Sequence, residues 1–176
     1  MIEYEYYDWT TLIGKSARES IRHDINKVID QGNYWHNSPP YQTNINIFGL
    51  SGEHWNNLKM SFIWSCFAYM KQERQIKTIK SWAYKTNIET QEDRNLYWHQ
   101  HLRDNALVLS GIYYLNLPKG VNKKTSGTEF APNGVGNGGE FFAPAKEGHW
   151  IIFPGSSWHR PGILQSPQWR YIVAAD

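Results

Sequence analysis

The spacing of apolar and polar positions predicts a helix near the start of the chain. The stretch SARESIRHDINKVIDQ, which runs from Ser16 to Gln31, repeats apolar residues at helical intervals. Ser16 is a candidate N-cap, and Gly32 is a candidate for the residue that ends the helix. The apolar face of this predicted helix consists of Ile21, Ile25, Val28 and Ile29.

A second helix is predicted in the stretch EHWNNLKMSFIWSCFAYMKQER, which begins after Ser51. Apolar residues recur there near helical spacing at Trp55, Leu58, Phe62 and Phe67. The segment between the two helices, GNYWHNSPPYQTNINIFGL, predicts a loop followed by a short strand.

After Arg74 the pattern changes to short runs of β-branched and aromatic residues that are separated by turn residues. The predicted strands lie in TIKSWAYKTN, LYWHQH, VLSGIYYLNL, the two ends of GTEFAPNGVGNGGEFFAP, HWIIFPG and WRYIVAA. Two or three helices followed by six to eight short strands predict an α+β protein that is mainly β. Its sheet part is expected to be a sandwich or a jelly roll.

The composition supports a β-rich fold, because the chain holds 9 Trp, 11 Tyr and 7 Phe and aromatic residues favour pleated sheets. Its 176 residues suit a single domain. The formal net charge of +2 gives no sign of a strongly basic nucleic-acid-binding protein. We therefore do not expect a nucleic acid as the partner.

Cys66 is the only cysteine, so an intramolecular disulfide is impossible. It lies in the apolar stretch FIWSCFAYM, where we expect a buried small side chain. The acidic, aromatic start MIEYEYYDWT does not predict a signal peptide, and no run approaches the roughly 18 apolar residues of a membrane span. These features favour a cytoplasmic protein with no membrane contact.

His99 and His101 are separated by one residue in the predicted strand LYWHQH. Side chains on a strand alternate between its two faces, so both imidazoles point the same way and can hold one metal ion from one side. Two histidines at this spacing also occur by chance as ordinary strand residues. The pair alone is therefore weak support for a metal site.

A third histidine, His159, follows the next-to-last predicted strand, and Arg170 comes eleven residues later. A ligand from a distant strand completes a facial triad, which leaves coordination positions open for substrate or oxygen. Arginine binds a carboxylate through two parallel hydrogen bonds. A dicarboxylate cosubstrate would therefore give a buried Arg170 its anionic partner.

From about Tyr41 to its end, the chain resembles the iron(II)- and 2-oxoglutarate-dependent oxygenases, in particular the small prolyl-hydroxylase-like group of marine bacteria and their phages. The segments that carry the resemblance are PYQTNINIFGL, SWAYKTN, WHQH, LSGIYYLNLP, GTEF, EGHWIIFPGSSWHRPG and WRYIVAAD. The most specific features are LSGIYYL, the turn FPGSSWHRPG and the arginine that follows them, in this order.

The resemblance implies a double-stranded β-helix, or jelly roll, flanked by N-terminal helices. We assign residues 1–176 to one domain of this kind, with a helical flank over 1–75 and a jelly-roll core over 76–176. The implied cofactor is Fe(II), and the implied cosubstrates are 2-oxoglutarate and O2. The implied activity is hydroxylation of a prolyl residue in a peptide or of a small amino-acid-like substrate.

The resemblance also implies roles for individual residues. His99 and His159 match the first and last iron-binding histidines of the family, and Arg170 matches the anchor of the distal 2-oxoglutarate carboxylate. Tyr114 matches the position from which related enzymes offer a hydroxyl to that carboxylate. Trp82 and Tyr84 are candidates for the pocket wall, although aromatic strand residues are often plain core.

The chain departs from the family at position 101, where the usual motif carries a carboxylate. Three interpretations are open: His101 is the second ligand, Asp104 in the polar stretch LRDN supplies a carboxylate instead, or the site no longer turns over. A neutral imidazole in place of a carboxylate leaves the iron one charge more positive and makes its oxidation harder.

Two other classes of protein compete with an oxygenase. A cupin-like metal-binding protein would keep the three histidines without 2-oxoglutarate chemistry, but it has no need of Arg170. An inactive phage accessory protein would keep the fold and lose the site. In that case, replacing His99 and His159 together would leave its biological role intact.

Overall fold

The computed structural model describes residues 3–35, 41–88, 97–103, 106–121 and 126–176. The helical elements in these residues are α1 (Lys15–Asp30), a 3-10 turn (Ile47–Gly49) and α2 (Glu53–Met70). The strands are β1 (Glu5–Asp8), β2 (Tyr41–Gln42), β3 (Ser81–Thr86), β4 (Leu109–Asn116), β5 (Thr128–Phe130), β6 (Phe141–Ala143), β7 (His149–Pro154), β8 (His159–Pro161) and β9 (Arg170–Ala175).

Helix α1 forms where the apolar spacing predicts it, and its four predicted apolar residues are all buried. The helix begins two residues earlier than expected. Gly14, not Ser16, is the N-cap, and its carbonyl accepts the backbone N–H of Arg18. Gly32 follows the helix with φ +79°, a backbone conformation that glycine adopts without strain.

The strands form two antiparallel sheets. The larger has the order β1-β7-β4-β9-β3-β2, and the smaller has the order β6-β5-β8. Both helices pack near one face of the larger sheet, since their buried residues share a core with Tyr113, Trp150 and Val173. The described residues therefore give a mainly antiparallel β protein with two helices.

The alternation of side chains along the strands separates the helix-facing core from a second core between the sheets. On β9, Tyr171 and Val173 belong to the helix-facing core, whereas Ile172 lies with Phe130 and Phe153 between the sheets. All six residues of β9 are buried. The helices cover one face of this central strand, and its other face lines the interior between the two sheets.

Residues 1–75 are not purely helical, although the sequence predicts a helical flank there. They also provide β1, which pairs with β7, and β2, which pairs with β3. These short strands cover the edges of the larger sheet, whose backbone groups would otherwise be unpaired. Within the described residues, neither α-helix is both long enough and apolar enough to span a membrane.

The predicted strand LYWHQH does not form as a regular strand. Its described residues, from position 97, form a single antiparallel bridge between His99 and His159 rather than a regular strand. Residues 76–176 hold seven strands in their described part, within the six to eight expected. Cys66 is buried, as its apolar context indicates, and burial raises the pKa of its thiol to about 12.

Replacing Trp150 with alanine is expected to lower the free energy of unfolding by about 3–5 kcal/mol. Trp150 lies on β7 and is fully buried against α2, where its ring centroid lies 5.1 Å from that of Phe62 and its indole N–H donates to Ser61 Oγ at 2.7 Å. Urea denaturation of the variant measures the loss. The control is Trp64→Ala on α2, because Trp64 is 47% exposed. An equal loss in both variants would contradict the assigned core.

Candidate metal and anion site

Three histidines from two segments that are distant in the sequence meet at one point. Each of His99, His101 and His159 offers a ligand nitrogen, and these atoms lie within 4.8 Å of one another. The ring centroids are 4.2 Å apart for His99 and His159, and each lies 5.1 Å from that of His101. This spacing suits three imidazoles that share one metal ion.

Backbone hydrogen bonds hold the histidine segments side by side. His99 N–H donates to the carbonyl of His159 at 3.0 Å, and His159 N–H donates back at 3.1 Å. His101 N–H donates to the carbonyl of Gly155 at 2.8 Å. The two-residue spacing of the pair, and not a continuous strand, therefore brings both imidazoles to His159.

Hydrogen bonds also orient each ring. The Nδ1 atoms of His99 and His159 lie 3.0 and 2.9 Å from the backbone carbonyls of Tyr97 and Ser157, and Nδ1 of His101 lies 2.9 Å from a carboxylate oxygen of Asp176. Carbonyls and carboxylates accept, so each Nδ1 carries the proton. The lone pair of each Nε2 is then left for a metal ion, which is the usual arrangement of metal-binding histidines.

Burial keeps two of the imidazoles neutral. Desolvation, with a smaller contribution from the neighbouring His99, lowers the pKa of His159 to about 3. Desolvation also lowers the pKa of His99. A metal binds the neutral imidazole, so it does not have to displace a proton from these rings at neutral pH.

The histidines open into a pocket between the two sheets. Two paired strands, β3 and β9, contribute Trp82, Tyr84, Thr86, Arg170, Ile172 and Ala174. These residues follow each other at intervals of two along their strands, as expected for one face of a sheet. Trp82 and Tyr84, candidates from the sequence, both line the pocket, and the ring centroid of Trp82 lies 5.6 Å from that of His101.

Arg170 is buried at the same pocket, with 3% of its surface exposed. Its Nε donates to Thr86 Oγ1 at 3.2 Å, and Nη1 donates to the carbonyls of Ser126 and Gly162 at 3.0 and 3.1 Å. Burial lowers its pKa to about 10, which still leaves the guanidinium charged at neutral pH.

No acidic side chain in the described ranges pairs with Arg170. Glu140, for example, accepts the backbone N–H of Gly136. A buried cation without an acidic partner favours the binding of an anion. Arg170 thus provides a candidate carboxylate site in the pocket that also holds the histidines.

Tyr114 is buried, and its hydroxyl lies 2.8 Å from Thr128 Oγ1. Burial raises the pKa of Tyr114 to about 12, while the charge of Arg170 opposes this rise. Tyr114 is not among the residues that line the pocket, whereas Tyr84 is. The contact of Tyr114 with a cosubstrate therefore stays a prediction.

Asp104, the alternative to His101 as second ligand, lies outside the described residues. The described cluster contains His101 together with His99 and His159. Asp176 and Ser110 also line the pocket, and the sequence gives no sign of them as site residues. Asp176 is missed because nothing in the local pattern of RYIVAAD shows that it faces a histidine 75 positions earlier.

Replacing Gly155 with alanine is expected to weaken metal binding and to destabilise the fold by about 1–3 kcal/mol. A Cβ atom at Gly155 would lie 2.6 Å from the carbonyl oxygen of His101 and 2.8 Å from Val108, so the His101 segment would have to move. Metal titration and urea denaturation measure the two effects. In the control Gly49→Ala, the added Cβ meets no atom within 4 Å. Equal metal affinity in both variants would contradict this role of Gly155.

Comparison with known proteins gives no match to a family model and no match among curated proteins. Solved structures do match. The 2-oxoglutarate-dependent carbocyclase SnoK of nogalamycin biosynthesis superposes with a TM-score of 0.70 at 10% identity, over 98% of this chain and 78% of SnoK.

Two prolyl hydroxylases are also similar. The Pseudomonas putida prolyl-4-hydroxylase has a TM-score of 0.60 at 11% identity, over 99% of this chain and 86% of its own. The Trichoplax adhaerens prolyl hydroxylase, solved with a peptide fragment of hypoxia inducible factor, has a TM-score of 0.64 at 13% identity, over 98% and 81% of the two chains. The chain thus resembles 2-oxoglutarate-dependent oxygenases in fold.

Proposed function

We propose that this protein is an Fe(II)- and 2-oxoglutarate-dependent oxygenase with a jelly-roll core, and that it hydroxylates a prolyl residue in a peptide or a small amino-acid-like substrate. The observation that carries the proposal is one pocket that holds three convergent imidazoles and a buried arginine without an acidic partner among the described residues. A metal and a dicarboxylate together fit these two features.

The donor set fits the metal. Neutral imidazole is a suitable ligand for Fe(II), and it also suits zinc and copper. In the proposed site His99, His101 and His159 hold Fe(II), and Arg170 binds the distal carboxylate of 2-oxoglutarate. Iron and 2-oxoglutarate would supply the oxidising power for O2-dependent hydroxylation, whereas the protein supplies position and environment.

The chain's own residues have separable tasks in this proposal. Thr86 accepts from Nε of Arg170 and so fixes the direction of the guanidinium. Apolar pocket residues, among them Ile112, Phe153 and Ile172, exclude water from the region between the histidines and Arg170. Exclusion of water strengthens the ionic contact with the carboxylate and prevents side reactions.

Three exposed apolar side chains that are close to His101 in the sequence favour a substrate with an apolar part. Tyr97, Leu102 and Leu107 are between 63% and 72% exposed, and they lie within six residues of His101 in the sequence. The prolyl hydroxylases of similar fold make a prolyl residue the leading candidate. Carbocyclase SnoK has the same fold, so the fold alone does not select the reaction.

A second candidate is a cupin-like metal-binding protein that does not use 2-oxoglutarate. It is favoured by the three-histidine set, since the usual facial triad of these oxygenases contains a carboxylate. The buried Arg170 in the pocket argues against it.

The two candidates differ in their products. We expect the Fe(II)-loaded protein to convert 2-oxoglutarate to succinate when O2 is present, at a rate that peptides rich in proline increase. Succinate measured by NMR, with the metal-free protein as the control, tests this. Succinate at the level of the metal-free control would contradict the oxygenase and favour the cupin-like protein.

A further inference from the structure

Asp176 is a buried carboxylate in contact with His101. Its side chain is 8% exposed, and Oδ2 accepts the Nδ1 proton of His101 at 2.9 Å. Oδ1 lies 2.7 Å from Ser110 Oγ, which donates to it. The backbones of Asp176 and Lys80 exchange two hydrogen bonds, at 2.9 and 3.0 Å, which fix Asp176 beside the start of β3. The carboxylate therefore has a defined position behind the ring of His101.

The charge of Asp176 has no lysine or arginine partner in the part of the chain that the structure describes. His101 is the only basic group paired with it there. A buried carboxylate without a cationic partner is costly, because desolvation removes the stabilisation that water gives its charge. A metal ion bound to His101 would supply the missing positive charge through the imidazole.

His101 differs in this respect from the other two histidines. The rings of His99 and His159 donate to neutral backbone carbonyls. Only His101, among these three, donates to a carboxylate. It also occupies the position at which a two-histidine, one-carboxylate site carries its acid.

We propose that Asp176 is a positioning residue that supplies, through His101, the negative charge that the three-imidazole set lacks. The inference rests on the proposed metal site. Fe(II) with two imidazoles and a carboxylate has a net charge of +1. Fe(II) with three imidazoles and the Asp176 carboxylate has the same net charge, but the imidazole of His101 would lie between this carboxylate and the metal. A carboxylate behind a metal-bound imidazole also raises the basicity of that ligand.

The test is Asp176→Asn, which keeps an oxygen that accepts from His101 and removes the charge. We expect the Fe(II) affinity of the full chain to fall about 10–100-fold, and the Fe(III)/Fe(II) potential to rise because Fe(III) loses more stabilisation than Fe(II). Anaerobic competition with a chromophoric chelator measures the affinity, with Fe(II) alone as the probe. The control is Asp24→Asn, since Asp24 accepts from His54 at 2.8 Å in a carboxylate–imidazole pair on the helices.

A second parent variant distinguishes the effect of the Asp176 charge from a purely structural role of Asp176. In His101→Asp the carboxylate is itself a ligand, so a further Asp176→Asn change is expected to alter the Fe(II) affinity by less than about threefold. A purely structural Asp176 would cause the same loss in both backgrounds, or a loss of the fold in both, and either result would overturn the proposal. An Asp176→Asn variant with wild-type affinity and potential would also overturn it.

The failure of the proposed function would look different. A wild-type protein that binds Fe(II) but not 2-oxoglutarate would contradict the oxygenase. The role of Asp176 would still stand or fall by its own measurement, because that measurement uses the metal alone.

Discussion

In the variant His159→Ala, the affinity of the protein for Fe(II) is expected to fall more than about 100-fold. Loss of a residue that only hydrogen-bonds to a metal ligand already costs about 10–100-fold, and loss of the ligand itself costs more. His159 is 4% exposed, and it comes from a later segment of the chain that faces the pair His99 and His101. Its removal leaves two imidazoles, both from one short segment. Anaerobic titration with Fe(II) and a competing chelator measures the loss.

His149→Ala is the matched control for this variant. The ring of His149 is also near a carbonyl two residues back, that of Glu147, at 3.0 Å, but it lies outside the cluster and the pocket. We expect its Fe(II) affinity to equal that of the wild type. If His159→Ala binds Fe(II) as tightly as His149→Ala does, the three-histidine site is wrong.

The variant Arg170→Ala is expected to bind 2-oxoglutarate at least about 100-fold more weakly. Loss of one partner from a buried ion pair costs about 3–5 kcal/mol, and each 1.4 kcal/mol corresponds to about tenfold in affinity. Fe(II) affinity without 2-oxoglutarate is expected to stay within about threefold of wild type, because Arg170 donates to Thr86 and to the carbonyls of Ser126 and Gly162 rather than to the histidines. Calorimetric titration of the metal-loaded protein with 2-oxoglutarate measures the effect.

Arg18→Ala is the control for Arg170→Ala. Arg18 donates to the carbonyl of Ile13 and pairs with Glu147 at 3.4 Å, so its charge already has an acidic partner, and it does not line the pocket. We expect it to leave 2-oxoglutarate binding unchanged. An Arg170→Ala variant that loses Fe(II) together with 2-oxoglutarate would show that Arg170 supports the metal site instead.

Most of the fold is predictable because its signals are local. The apolar residues of α1 follow the helical period, and β9 continues after Arg170 as an apolar run that is buried throughout. The strand β1 was not predicted, because EYYD has no clear alternation of apolar and polar residues. It becomes a strand by pairing with β7. Such pairing over a long sequence distance leaves little trace in the local pattern.

The site residues also differ in whether a local sequence signal or long-range packing determines their place. The spacing of His99 and His101 places both on one side of the segment, and the order of His159 and Arg170 along the chain carries the family resemblance. The contact between Asp176 and His101 was not predictable, because it depends on the register of β9 beside β3 and β4. Side chains that act through a ligand become visible only when the packing is known.

An anaerobic absorbance titration of the wild-type protein, first with Fe(II) and then with 2-oxoglutarate, tests the proposed oxygenase site most directly. We expect a visible charge-transfer band that appears only when both are present and that is absent in His159→Ala. Tight binding of zinc with no band after addition of Fe(II) and 2-oxoglutarate would contradict an oxygenase.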